Sequence, residues 1–198
     1  MSYSEFSLAT VQKKINLNLE ENLALFTEVE LLKPSNLLAE FLQEYAPLAL
    51  KINTEKARSE MITSPILLDL KKHFSQKISI FSGVEFNVDS AQGLNGICDF
   101  LLSAYSEQLF IKSPVLTLVE AKKENIMAGL GQCAAEMVAA QIFNEQEDNS
   151  ISTILGVVTS GNIWKFLQLE GQNLRIDVSE YYLRDVEKIL GILDSGFK

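Results

Sequence analysis

Glu120-Ala121-Lys122 closes an otherwise apolar run, Pro114 to Lys122, in which charged residues have no place unless they are paired or have a task. Residues i and i+2 of a strand point to the same face, so this spacing sets a carboxylate and an ammonium side by side. Twenty-one residues earlier, Asp99 interrupts a second apolar run between Cys98 and Phe100. If the two runs pair as a hairpin, Asp99 faces Glu120. Two carboxylates and a lysine on one side of a sheet make a hard-oxygen site suited to Mg²⁺ or Mn²⁺. Such an ion polarises a phosphodiester and activates water, while Lys122 orients the nucleophile or stabilises developing charge. Taken singly, each residue has a plainer explanation: a surface ion pair for Glu120 and Lys122, a turn cap for Asp99. Their combination carries the weight.

The elements that must hold these residues follow from hydrophobic period. Pro34-Ser35 opens a helical segment through Leu37, Leu38, Phe41 and Leu42, with Ser35 as cap, and Pro47 is expected to end or kink it. A second helical pattern runs from Asn53 to about His73, interrupted at Pro65. The first thirty residues are mixed and read as an arm with one or two short helices. At Ile78 the period becomes two: strands are expected over 78–88 (broken at Ser82-Gly83), 96–102 and 114–122, the last apolar on both faces and so central. A long Ala-rich helix over 125–146 follows, then strands over 153–159, 163–169 and 174–178 and a helix over about 180–193. The fold class is therefore α/β, a mixed central β-sheet flanked by helices. Residues 1–52 form an N-terminal helical arm packed on the core, and 53–198 form the main domain.

Asp99, then Glu120-Ala-Lys122 at the end of an apolar strand, then a helix, resembles the PD-(D/E)XK nuclease superfamily. The resemblance covers about residues 55–170, by a pattern reading whose boundaries err by several residues. It implies a restriction-endonuclease-like core of order α-β-β-β-α-β and places the family's two acids and its lysine on Asp99, Glu120 and Lys122. It further implies Glu60 as an additional metal ligand from the preceding helix and Gln132 as a helper on the following one. One branch carries a tyrosine four residues later; here that residue is Glu136. The segment Thr159-Ser-Gly-Asn-Ile-Trp164-Lys-Phe166 is loosely similar to nuclease domains of type I restriction enzymes. What the family implies is Mg²⁺- or Mn²⁺-dependent hydrolysis of DNA; many such enzymes pair to cut two strands, so a homodimer is one expected state.

Composition narrows the field. The chain has 198 residues, 47% apolar and 22% charged, which excludes disorder, collagen and coiled coil. No uninterrupted apolar run approaches the roughly 18 residues of a membrane span, and no secretory signal is visible, so a cytoplasmic location without membrane contact is expected. Cys98 and Cys133 sit in apolar surroundings as reduced thiols, and the lone His73 leaves no zinc cluster. Gly129-Leu-Gly131-Gln-Cys-Ala134 fits a relaxed dinucleotide fingerprint, but no strand runs directly into it; small residues there suit close packing of helix on sheet. The net charge of −9, with only three arginines, opposes a polyanionic partner. DNA binding then needs a local basic patch or a partner protein. The alternatives are a catalytically silent nuclease-fold module that assembles with a protein, or a hydrolase of RNA or a smaller phosphate ester. Lys123 and Glu124 read as solvated helix-entry residues. Trp164 reads as core, with base stacking the lesser reading.

Overall fold

The period-two segments that follow Ile78, joined by one strand from the N-terminal region, form a mixed eight-stranded sheet in the computed structural model, which describes residues 1–149 and 151–198. A 3₁₀ turn at Tyr3–Glu5 leads into α1 (Leu8–Ile15), β1 (Asn18–Leu23) and α2 (Asn36–Ile52). Next come α3 (Glu55–Arg58), a π-helical turn (Ser59–Thr63) and α4 (Ser64–His73). The strands β2 (Ser79–Glu85), β3 (Ile97–Ser103) and β4 (Val115–Ala121) precede α5 (Ile126–Gln146). The chain ends with β5 (Ile154–Thr159), β6 (Ile163–Glu170), β7 (Asn173–Asp177), the short β8 (Tyr181–Tyr182) and α6 (Val186–Ser195).

Strand order is β1-β7-β6-β5-β4-β3-β2, with β8 added beside β6. The β2–β3–β4 meander is antiparallel; β4 and β5 are parallel, joined by α5 as the crossover. All seven residues of β4 are buried, as expected of a central strand covered on both faces. Leu118 and Val158 pack with Cys133 and Met137 of α5 on one face. Val119, Phe100 and Trp164 pack with Ile62, Ile66 and Ile189 on the other. Small residues let α5 lie close: a Cβ on Gly129 would come within 2.7 Å of Val158, and one on Gly131 would strike the backbone of Phe6 and Ser7. At 21 residues α5 is long and apolar enough to cross a membrane, but it is mostly buried against the sheet and the N-terminal segment.

Four local expectations are corrected. Of the two outcomes expected at Pro47, an end to the helix is excluded: α2 continues to Ile52. Pro47 and Gln43, whose carbonyl the ring deprives of a helical partner, are both exposed residues. The first thirty residues hold more than short helices, because Asn18–Leu23 forms the edge strand β1, parallel to β7. Its sequence Asn-Leu-Glu-Glu-Asn-Leu is polar and mostly exposed, so no burial pattern betrays it. The break before Pro65 is the π-helical turn; α3, the turn and α4 run on in helical conformation. The last helix starts at Val186, because Tyr181 and Tyr182 are taken up in pairing with β6.

One irregularity positions the site. The β2–β3 register holds on either side of Gly83 and Asp99, with Ser82 opposite Phe100 and Val84 opposite Cys98. Yet Cys98 lies in the α5 layer and Phe100 in the opposite one, although residues two apart on a regular strand share a face. The alternation slips at Asp99, where Gly83 across the pair takes φ +60°, a conformation natural to glycine. The strand break expected at Ser82-Gly83 is this slip.

Candidate active site

Glu120 and Lys122 share a face, and the Lys122 ammonium is paired with Glu120 Oε1. The Lys122 backbone N–H donates to the Thr159 carbonyl at 2.7 Å, which extends the β4–β5 pairing one residue past the strand. Asp99 reaches the same place from β3: its Oδ2 accepts the Ala121 N–H at 2.8 Å. The first turns of α5 complete the set. Asn125 caps that helix by accepting the Ala128 N–H through its side chain. Gln132 accepts from Lys122 at 3.3 Å through Oε1 and donates through Nε2 to Glu136 Oε1 at 3.1 Å. The order Glu120, Lys122, Gln132, Glu136 is therefore a connected polar chain between sheet and helix.

Burial makes this chain electrostatically unusual. Glu120 is only 2% exposed, and Glu136 is fully buried. Among the described residues, one oxygen of each (Oε2) has no hydrogen-bond partner. Burial, then repulsion from Asp99, pushes the Glu120 carboxyl up to about 8, against the pull of Lys122. Burial and then Glu120 raise Glu136 well above the carboxylate range. Burial also raises Asp99, opposed by the Ala121 N–H and Lys122. Burial alone would lower Lys122, but the Glu120 carboxylate beside it reverses that and raises it. Lys122 is thus a cation at neutral pH, and three carboxyls share it.

Three carboxyls against one ammonium leave negative charge in excess whenever all are ionised, which a divalent cation would offset. Asp99 and Glu120, the latter with Oε1 already paired to Lys122, would be the oxygen donors for such an ion. Among the described residues, no three carboxylate, imidazole or thiol groups converge as a ready cage. Mg²⁺ commonly takes one or two carboxylates and completes its shell with water and substrate oxygens, so the donor set fits that ion.

Glu60 is not brought into this contact. It stands exposed on the π-helical turn, ion-paired with Lys56 at 3.1 Å, and lines the cleft of about 250 Å³ above Asp99. Glu55, Ser59, Ser82 and Ala121 line the same cleft. Glu55 and Glu60 would lie about 140° apart on a regular α-helix; the intervening π-helical turn accompanies their convergence. Glu55 is a residue the sequence did not single out, close enough to raise Glu120 and Lys122 slightly. Glu136 was visible only as a departure from a family pattern. Its signal was an acid in the middle of an Ala-rich apolar helix.

Other expectations resolve simply. Lys123 and Glu124 are exposed, Glu124 meeting Asn53 at 3.3 Å. Cys98 and Cys133 are buried free thiols. Trp164 is fully buried and donates its indole N–H to the Gly161 carbonyl at 2.9 Å, so its ring is closed to base stacking. Arg58 is engaged by the Ser160 carbonyl at 3.0 Å and Asn53 at 2.8 Å, leaving Lys56 as the cation lining the cleft beside three acids. The chain matches no protein-family profile, no curated protein and no solved structure.

The buried acids set a pH dependence. Both Glu120 and Glu136 hold protons more tightly folded than unfolded, so folding stability is full below the ordinary carboxyl range and falls as pH rises toward about 8. Glu136→Gln removes part of that fall. Urea unfolding should find the variant more stable than wild type at pH 8 by about 1–3 kcal/mol, with the gap closing at pH 5. A gap independent of pH would mean that Glu136 is not the titrating group.

Proposed function

We propose that this chain is a metal-dependent phosphodiesterase with a restriction-endonuclease-like core, acting on DNA. The observation that carries the reading is the meeting of Asp99, Glu120 and Lys122 at the end of a buried strand, with a Glu120 oxygen left without a partner. The order α4, β2, β3, β4, α5, β5 around that site supports the core assignment. Asp99 and Glu120 would hold Mg²⁺ or Mn²⁺, which supplies Lewis-acid polarisation of the phosphodiester and an activated water. Lys122, held as a cation, is no general base; it steers the nucleophile and stabilises charge growing on the phosphoryl oxygens. Gln132 fixes the Lys122 ammonium by accepting from it, and so selects its orientation.

The cleft lining favours a second reading of the substrate. Glu55, Glu60 and Asp99 outnumber Lys56 there, which suits a small phosphate ester or a short RNA end better than the long polyanion of duplex DNA. A silent module working through a protein partner would need neither substrate nor cation.

The test joins binding to cleavage. Mg²⁺ or Mn²⁺ at about 100 times its dissociation constant should stabilise the chain by about 2.7 kcal/mol, read as a rise in melting temperature that Asp99→Asn diminishes. Plasmid, single-stranded DNA, RNA and a small phosphodiester are then offered with the metal. Cleavage of plasmid supports the DNA reading, and cleavage of the small ester alone supports the second. A chain that binds no metal and cuts nothing refutes both.

A further inference from the structure

Helix α2 leaves one whole face uncovered. Leu37, Phe41, Tyr45, Leu48 and Ile52 recur at spacings of four, four, three and four, which at 100° per residue confines them to an arc of about 80°. Leu37 is 67% exposed, Tyr45, Leu48 and Ile52 are exposed too, and Phe41 is half-buried with its ring 4.6 Å from that of Tyr45. The stripe runs the helix's length, about 26 Å. Beside its first half, Pro65 and the exposed Leu68 of α4 widen it into a groove of about 350 Å³. Solvated helices ordinarily show water their polar side; this one buries Leu38, Ala46 and Ala49 and still carries a second apolar face. The helix is held firmly: Asp69 of α4 takes the Ser35 backbone N–H at 2.9 Å and pairs with its hydroxyl, and Ser35 in turn caps α2.

We propose that this face is where a second copy of the chain docks, α2 against α2 in antiparallel orientation about a two-fold axis near Tyr45. The stripe is nearly palindromic about that point. Reversal puts Leu37 over Ile52 and Phe41 over Leu48, with the two Tyr45 rings adjacent. Lys51 adds a complementary contact to the same arrangement, set against the two Glu44 side chains that it brings onto one flank. Glu40, Glu44 and Lys51 are exposed along one flank of the stripe, and among the described residues none of them has an ion-pair partner. In an antiparallel pair that flank meets its own copy, and Lys51 of each lies about two residues along from Glu40 of the other. A parallel pair would turn this flank toward the side carrying Leu38 and Ala49, which the core already covers. Glu60 lines both this groove and the cleft above Asp99, so pairing would set the two clefts on neighbouring sides of the axis.

The experiment is sedimentation velocity on the full chain with three variants. Wild type should sediment as a dimer of the 22.1 kDa chain. Leu48→Glu, at an exposed position, should weaken the dimer by about 30-fold or more while leaving the urea midpoint of the monomer unchanged. Lys51→Glu should also weaken it, and adding Glu40→Lys to Lys51→Glu should restore it. A wild-type chain still monomeric at about 100 µM overturns the proposal and leaves the face to a different protein. A dimer indifferent to Leu48→Glu overturns it as well, by placing the contact elsewhere. Neither outcome bears on metal binding or cleavage, so the proposal and the catalytic reading fail separately.

Discussion

Lys122→Ala is expected to lower metal-dependent cleavage by about 10²–10³-fold, the usual cost of removing one preorganised positive donor from a developing phosphoryl charge. The argument rests on position. Lys122 is anchored by Glu120 on one side and Gln132 on the other, and its charge is stabilised at neutral pH by the carboxylates around it. The substitution removes the ammonium paired with Glu120, whose charge also acts on Asp99 and Glu136. The three carboxyls respond by holding their protons more tightly, so the apo fold should survive. Metal-induced stabilisation measured beside the cleavage assay separates lost chemistry from lost structure. Gln132→Ala should reduce the rate less, since it frees the ammonium without deleting it. Equal cleavage by wild type and Lys122→Ala would remove Lys122 from the reaction and the strand-end site with it.

The largest effect on stability belongs to Trp164. Its side chain is fully enclosed between the sheet and the α4/α6 layer, and its N–H satisfies the Gly161 carbonyl in the β5–β6 turn. Trp164→Ala should cost about 3–5 kcal/mol through lost burial and the cavity left behind. At about 2–4 °C per kcal/mol for a chain of this length, the melting temperature should fall by about 6–20 °C. Trp164→Phe keeps most of the ring and leaves Gly161 without its donor, a loss of about 1–2 kcal/mol, the usual size of a hydrogen-bond deletion. Urea unfolding curves check both. If Trp164 instead served as a stacking platform, Trp164→Ala would leave the midpoint unchanged and weaken nucleic-acid binding.

Much of the architecture was legible locally. β4 announced itself as central because the run around Glu120 from Val115 to Ala121 is otherwise suited to a strand buried on both faces, and the structure buries all seven residues. Glu120 and Lys122 were readable as neighbours because strand side chains repeat every two residues, a rule needing no knowledge of the fold. The Ser35 cap was legible for the same reason: it satisfies a demand of its own few residues.

What stayed hidden depends on partners distant in sequence. β1 carries no pattern of its own and exists because β7 offers it an open edge. The slip at Gly83 and Asp99 is a property of two strands together, and it accompanies the turn of Asp99 toward the Ala121 N–H. Glu60 and Glu136 could not be weighed on the helices that carry them. One proved to stand in water beside Lys56, and the other proved to be sealed against Glu120 under α5. By itself the sequence determined most of the strands and helices after Ile78, and that an acid and a lysine share a strand end, because periodicity and local hydrogen bonding act over a few residues. Only the tertiary structure decided which acids lose their water, because desolvation is set by what packs over a side chain from elsewhere in the chain.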